Sequence, residues 1–362
     1  MGFRCGLVGL PNVGKSTLFN SLTRGTASTA NYPFTTIEAN VGVAPVEDLR
    51  LDALAEVTPH ESVTPTALHL VDIAGLVKNA SQGEGLGNQF LSEILQVDAI
   101  AHVIRCFEDE EVVHVTTDLD PVRDAQIVEL EILLKDLEWI DRWLEKHRKV
   151  ARTTDRSLAP VVECAEALRE ALGRGQSARA HRESAEELRK AGLPLASAKP
   201  VFYIANVDED HLGRPSAAAK ALEEYAAGQG AAVVKVSAKV EQELQDLEGA
   251  DRQEMMQALG LEQSALQQVV RRGYELLELV SFFTTDSGKI RAWTVADGTR
   301  AAAAAGRIHT DFEKGFVRAE VGSWKELVEC GADAAAQRAK MRTEGRDYVV
   351  RDGDVIHFKV AV

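Results

Sequence analysis

The sequence predicts an α/β fold: a largely parallel sheet with helices on its faces, interrupted by an antiparallel helical hairpin and followed by a small α+β domain. Three observations carry this. Short apolar runs alternate with helix-patterned ones from Gly2 to about Leu119, and again from Pro200 to Val236. The stretch between, about 120–197, is dominated by helix formers and charges. After Phe282 the texture changes to short β-like runs punctuated by Asp297-Gly298 and Asp352-Gly353.

In chain order, residues 3–8 read as a buried strand, 15–23 as a helix, 37–43 as extended, 66–72 as a strand, 87–96 as a helix and 98–105 as a strand. In the next region Ile127, Leu130, Leu134, Leu137 and Leu144 approximate a 3-4 repeat, with Ile140 and Trp143 widening the stripe. The polar run Thr153-Thr154-Asp155-Arg156-Ser157 then marks a turn into a second helix carrying Val162, Ala165, Leu168 and Leu172. A strand at 200–205, a helix at 216–227 and a strand at 231–236 resume the α/β pattern, and helices follow at 239–247, 250–259 and 262–279. The last segment shows β-like runs at 291–295, 316–321, 348–350 and 355–360. The domains are therefore expected at 1–119 joined with 198–279, at 120–197 as an insertion, and at 280–362.

At 362 residues with 45% hydrophobic content, the chain has enough apolar material for two or three cores. It contains no apolar stretch near 18 residues and no secretion-type leader, so a cytoplasmic protein without membrane contact is expected. Cys5, Cys106, Cys164 and Cys330 are scattered without a C-x-x-C pair, which points to reduced thiols rather than a disulfide frame or zinc site. A net charge of −15 argues against a surface that grips nucleic acid as a whole, but leaves room for a local basic patch.

Gly9-Leu10-Pro11-Asn12-Val13-Gly14-Lys15-Ser16 has the spacing of a phosphate-binding loop, between a strand and a helix. Backbone groups of Asn12, Val13, Gly14, Lys15, Ser16 and Thr17 can surround a polyphosphate. Lys15 then meets the β- and γ-phosphates as a catalytic cation, and the Ser16 hydroxyl is offered to Mg²⁺. Asp72-Ile73-Ala74-Gly75 ends an apolar strand, where Asp72 can hold Mg²⁺ through water and the Gly75 N–H can sense the γ-phosphate. Of the Thr35-Thr36 pair in a polar, Pro-containing segment, Thr36 is the favoured second hydroxyl for the metal, against a plain strand start. Asn206-Val207-Asp208-Glu209 occupies the place of a base-reading N-K-x-D motif, and Ser237-Ala238 forms the second base-side loop. Val207 replaces the lysine and Glu209 the aspartate, so guanine's N1–H and N2–H₂ lose a well-placed acceptor, a penalty of about 1–3 kcal/mol. Adenine, and hence ATP, is the expected ligand.

With these motifs, the segments Gly83-Glu-Gly-Leu-Gly-Asn88, Arg105-Cys-Phe-Glu-Asp109 and Ile308-His-Thr-Asp-Phe-Glu-Lys-Gly-Phe316 closely resemble the YchF / Obg-like ATPase family. The resemblance covers nearly the whole chain and is weakest at 150–195. It implies a P-loop NTPase sheet of the Obg-related group, a coiled-coil insertion and a C-terminal TGS domain of ubiquitin-like β-grasp fold. It also implies a Mg²⁺-dependent ATP switch associated with the ribosome and translation, here expected to be a monomer.

Leu76 stands where many switch NTPases carry a water-orienting glutamine, a hydrophobic replacement the family shares, so slow intrinsic ATP hydrolysis is expected. His114 is the candidate to orient the attacking water, with a surface or packing histidine as the competing reading. Gly83, Gly85 and Gly87 make a loop able to respond to the γ-phosphate, or a static linker. Arg142, Lys146, Arg148, Lys149, Arg152 and Arg156 gather near the hairpin tip. They form either a solvated face or a contact for ribosomal RNA on the large subunit or the 70S particle. The functional readings are thus a slow ribosome-associated ATPase, a ribosome-assembly GTPase, or a nucleotide-gated regulatory protein with little turnover.

Overall fold

The computed structural model describes residues 2–23, 40–73, 85–109, 118–247, 249–286 and 288–361, with the backbone alone at 85–89. The chain begins β1 (Phe3–Val8), α1 (Lys15–Thr23), β2 (Val41–Pro45), α2 (Leu49–Val57), β3 (Ser62–Thr64), β4 (Ala67–Asp72), α3 (Gly85–Gln96) and β5 (Ala99–Arg105). The helical stretch holds α4 (Pro121–Thr153), α5 (Ala159–Gly173) and α6 (Arg182–Lys190). Next come β6 (Val201–Asn206), α7 (Ala217–Gly228), β7 (Val233–Val236), α8 (Ala238–Gln245), α9 (Gly249–Ala258) and α10 (Ala265–Leu276). The remainder is β8 (Leu279–Thr284), β9 (Lys289–Ala296), α11 (Ala301–Ile308), α12 (Thr310–Lys314), β10 (Phe316–Ser323), α13 (Trp324–Glu329), α14 (Ala334–Lys340), β11 (Arg342–Glu344) and β12 (Asp354–Val360). Two compact units result: Arg4–Gly42 with Leu70–Arg272, and Met1–Phe3 with Val43–His69 and Gly273–Val362.

The larger unit is organised on a six-stranded sheet in the order β2-β4-β1-β5-β6-β7. β1, β5, β6 and β7 pair in parallel, so their carboxyl ends share one edge. Every residue of β5 and β6 is buried, as expected for strands covered by helices on both faces. At Gly6 in β1, a Cβ would stand 2.6 Å from Ile73 Cδ1 and 3.2 Å from a Val97 methyl, so the chain that follows β4 and the end of α3 close down on the bare backbone.

The helical stretch is an excursion from this sheet. Asp120 caps α4 by accepting the Arg123 N–H, and Pro121 opens its first turn. Ile140, Trp143 and Leu144 pack against Ala165, Leu168 and Leu172 of α5 and Leu188 of α6, completing the expected hairpin. The expected apolar stripe needs correcting over its first turns. Ile127, Leu130 and Leu134 are 37%, 55% and 52% exposed, whereas the buried row runs Val128, Ile132, Asp136, Ile140, Leu144 at intervals of four. A carboxylate stands in the middle of that row, which hid it from a reading based on apolar periodicity.

The smaller unit has its own six-stranded sheet, ordered β11-β10-β12-β8-β9-β3. β12 runs parallel to β8, while β8–β9, β10–β12 and β10–β11 are antiparallel. Adjacent residues of β8 serve opposite faces: Phe282 packs with α11, Phe316 and Ile356, and Phe283 packs with Leu51 and Leu54 of α2, Leu327 and Val355. Sequence pattern left α2 and β3 unassigned, yet they belong to this unit, where β3 pairs with β9. Arg50 helps hold them there, with hydrogen bonds to Asp48 and Asp352 and its guanidinium 5.4 Å from the Phe283 ring centre. Residues 348–350, expected as a strand, make an isolated bridge between Val349 and Arg300. Trp293 and Trp324 pack onto the two cores, and His309 caps α12 by accepting the Asp311 N–H at 3.2 Å. All four cysteines are free thiols, as expected, and burial pushes Cys5 and Cys106 up to about 12.

Candidate nucleotide site

At the carboxyl edge of the larger sheet, residues 9–14 connect β1 to α1 through two left-handed positions, Asn12 (φ 63°) and Gly14 (φ 86°). A side chain at Gly14 would collide with Asn206, its Cβ 2.2 Å from Nδ2, and one at Gly9 would stand 2.5 Å from the Val103 carbonyl. The first turn of α1 starts with the Leu18 N–H bonded to the Gly14 carbonyl at 2.9 Å, and no acidic side chain lies in that turn. The preceding N–H groups are thus at the end of the helix that favours an anion. Lys15 forms a salt bridge with Asp72, which ends β4, and both side chains are largely shielded from solvent. Ser16 is exposed on the first turn of α1.

Ser16 and Asp72 are hard oxygen donors, the type Mg²⁺ prefers. Among the described residues no group of three or more His, Cys, Asp or Glu side chains could hold a metal alone. Two such donors suit an ion that keeps several waters and takes few protein ligands. Thr36, Gly75, Leu76 and His114 lie outside the described residues.

The other end of the site is tied to the first by Asn206, 4% exposed at the end of β6. Its Nδ2 donates to the Val13 carbonyl and its Oδ1 accepts the Ala238 N–H, both at 2.9 Å. One amide thus bolts the β1–α1 loop to the start of α8. Val207 is buried in the sheet, donating its N–H to the Val236 carbonyl at 2.8 Å. The Ser237 hydroxyl caps α8, accepting the Val240 N–H at 3.5 Å. Glu209 is exposed at the start of a short turn, Glu209–His211.

Lys15, Ser16, Asn206, Val207, Glu209 and Ser237 line a cleft of about 880 Å³ running from Gly9–Thr17 to Asn206–Asp210 and Ser237–Lys239, within the range of nucleotide-sized pockets. Phe107 and Asp109 also line it, and sequence reasoning did not assign them a place there. Arg105, 5% exposed, shapes their loop. Its Nε donates to the Phe107 carbonyl (3.2 Å), another of its N–H groups donates to the Asp109 carbonyl (2.9 Å), and its guanidinium lies 4.6 Å from the Phe107 ring centre. The available signal was position: this loop follows β5, whose carboxyl end opens on the edge where α/β sheets bind ligands.

Residues 279–361 match the model of the YchF GTPase carboxyl-terminal family, described as a protein of unknown function, and residues 4–136 match one described as a 50S ribosome-binding GTPase. The ribosome-binding ATPase YchF of Bacillus subtilis is 45% identical over the full length of both chains. The chain belongs to the YchF family. Its relative in Escherichia coli O157:H7, of the same name, is 46% identical over 99% of each chain. The solved structure of the Schizosaccharomyces pombe YchF GTPase superposes with a TM-score of 0.87 at 36% identity, covering 99% of this chain and 98% of that one. A Pyrococcus horikoshii GTP-binding protein shares the fold, with a TM-score of 0.63 at 22% identity over 99% of this chain and 100% of that one. For this YchF-family chain the β1–α1 loop, Asp72 and Asn206 therefore lie in an α/β fold that a solved YchF structure also adopts.

Proposed function

We propose that the chain is a ribosome-binding ATPase that hydrolyses ATP slowly and acts as a nucleotide-dependent switch in translation or its regulation. The preference for ATP is carried by one observation: the side chain at position 207, where a guanine reader needs a lysine, is 2% exposed and packed in the sheet, while the Glu209 carboxylate sits on an exposed turn. A guanine base would leave its N1–H and N2–H₂ poorly paired. Competition of ATP and GTP against a fluorescent nucleotide on the purified chain tests this. ATP binding at least about tenfold tighter is expected, and tighter GTP binding replaces the reading with a GTPase.

In this reading Asn12, Val13, Gly14, Lys15, Ser16 and Thr17 hold the phosphates, and Lys15 counters charge developing on them. Asn206, Val207, Ser237 and Ala238 form the base end. Ser16, Thr36 and, through water, Asp72 would hold Mg²⁺, which when bound neutralises phosphate charge. Gly75 senses the γ-phosphate, and His114 is the residue assigned to orient water in place of Leu76. The smaller unit is read as a TGS domain of β-grasp type, supported by the strand order β9-β8-β12-β10-β11 with α11 packed on one face.

The ribosome enters this reading through the names of the relatives and through the hairpin tip. There Lys146, Lys149, Arg152 and Arg156 are exposed, while Arg142 and Arg148 are engaged with Glu138 and Glu166. Ribosomal RNA phosphates are the proposed contact, made by a cytoplasmic monomer. Neutralising Lys146, Lys149, Arg152 and Arg156 together should cut ribosome co-sedimentation at least about tenfold and flatten its salt dependence. Undiminished co-sedimentation would remove the tip from the interface.

A further inference from the structure

The end of α3 is held by a residue that belongs to the root of the helical insertion. Lys199, two residues before β6, donates from Nζ to the Leu95 carbonyl at 3.0 Å and to the Val97 carbonyl at 2.6 Å. Those are the carbonyls a helix leaves unpaired at its C-terminus, where its dipole favours a cation. The ammonium stays in this half-buried position although burial lowers its pKa. Three and two residues earlier, the Ala196 and Ser197 N–H groups donate to the fully buried Asp136 carboxylate at 3.0 and 2.7 Å. Ser197 Oγ in turn accepts the Ala178 N–H at 3.2 Å. Asp136 occupies the middle of the buried row of α4, so polar contacts join α4, the short 3-10 turn Ala196–Ala198 that closes the insertion, and the end of α3.

α3 is also the helix that follows Asp72–Gly75 in the chain, and the residue just past its end reaches the same spot as the residue after Asp72: a Cβ on Gly6 would meet both Ile73 and Val97. We infer that Lys199 is the positioning residue through which the nucleotide bound at Lys15 and Asp72 controls the root of the helical insertion. This rests on the nucleotide-binding reading above. A change at the γ-phosphate that shifts α3 moves the two carbonyls that hold Lys199, and with them the 196–197 backbone fixed to Asp136. A local cap with no such role would hold α3 equally with or without nucleotide.

Hydrogen exchange of the full chain, with and without Mg²⁺ and a non-hydrolysable ATP analogue, separates the two. In the wild type the analogue is expected to slow exchange at 193–199 and along the centre of α4 by at least about fivefold. Lys199→Met, which keeps the aliphatic stem and removes both hydrogen bonds, should bind the analogue within about twofold of wild type and lose that protection. Lys199→Arg should restore it in part. Lys199→Gln is run beside them, so that poor folding of one variant does not decide the result. Full protection in Lys199→Met or Lys199→Gln overturns the inference, as does a wild type that binds the analogue without any change at 193–199. A wild type that binds no nucleotide overturns the functional reading and this inference together.

Discussion

The two ends of the cleft are built on different principles. The proposed phosphate end is mostly backbone: a loop with left-handed turns at Asn12 and Gly14, the start of α1, and the Lys15–Asp72 pair. The proposed base end is made of side chains whose polar atoms already have partners, Asn206 bracing two loops and Ser237 capping α8. A backbone site constrains residue types locally, so the loop leaves a signature in eight consecutive letters. A braced site constrains them through contacts 193 and 32 residues apart, so the same letters are compatible with reading a base or with holding a fold.

The sharpest way to break this comparison is at the phosphate end. On the proposed ATPase reading, in which Lys15 counters charge developing on the phosphates, Lys15→Ala should lower ATP turnover, followed by phosphate release, about 10²–10³-fold. Retention of most of the activity would move the catalytic cation elsewhere. Asn206→Ala addresses the tie between the ends. It strands the buried Val13 carbonyl and Ala238 N–H, a loss of about 2–4 kcal/mol in urea unfolding. A variant as stable as wild type would show that Asn206 faces the ligand alone.

A third effect concerns β5, the strand beneath the cleft. His102 is fully buried, its Nε2 has no hydrogen-bond partner, and burial, with Arg179 adding, pushes its pKa down from 6.5 to about 3. Below pH 6.5 the unfolded chain takes up a proton that the folded chain refuses until about pH 3, so stability falls as pH drops through that window. At about 1.4 kcal/mol per pH unit, roughly 2 kcal/mol is lost between pH 6.5 and 5. His102→Phe should flatten that slope in urea midpoints taken from pH 7 to 5, and an unchanged slope would assign the acid sensitivity to other groups.

Legibility in the sequence followed the same division. The strand-loop-helix of the phosphate end and the alternation around it could be read because each depends on neighbours in the chain. The helical hairpin was equally plain, but not the face it buries, because Asp136 interrupts the apolar row with a carboxylate satisfied by Ala196 and Ser197, sixty residues away. α2 and β3 escaped notice because α2 buries only Leu51 and Leu54 and β3 is three residues long, its pairing supplied by β9 more than two hundred residues later. At the site, Phe107 and Asp109 were invisible as ligand-facing groups because Arg105 orients them through their carbonyls, which carry no sequence signal.

The 33 residues of α4 make one unbroken rod of about 50 Å. Asp136 sits near its middle, so the part beyond it, 17 residues to Thr153, reaches about 25 Å outward. A tilt of about 5° at the buried carboxylate would displace the basic tip by about 2 Å, a lever that amplifies a sub-ångström adjustment near the sheet.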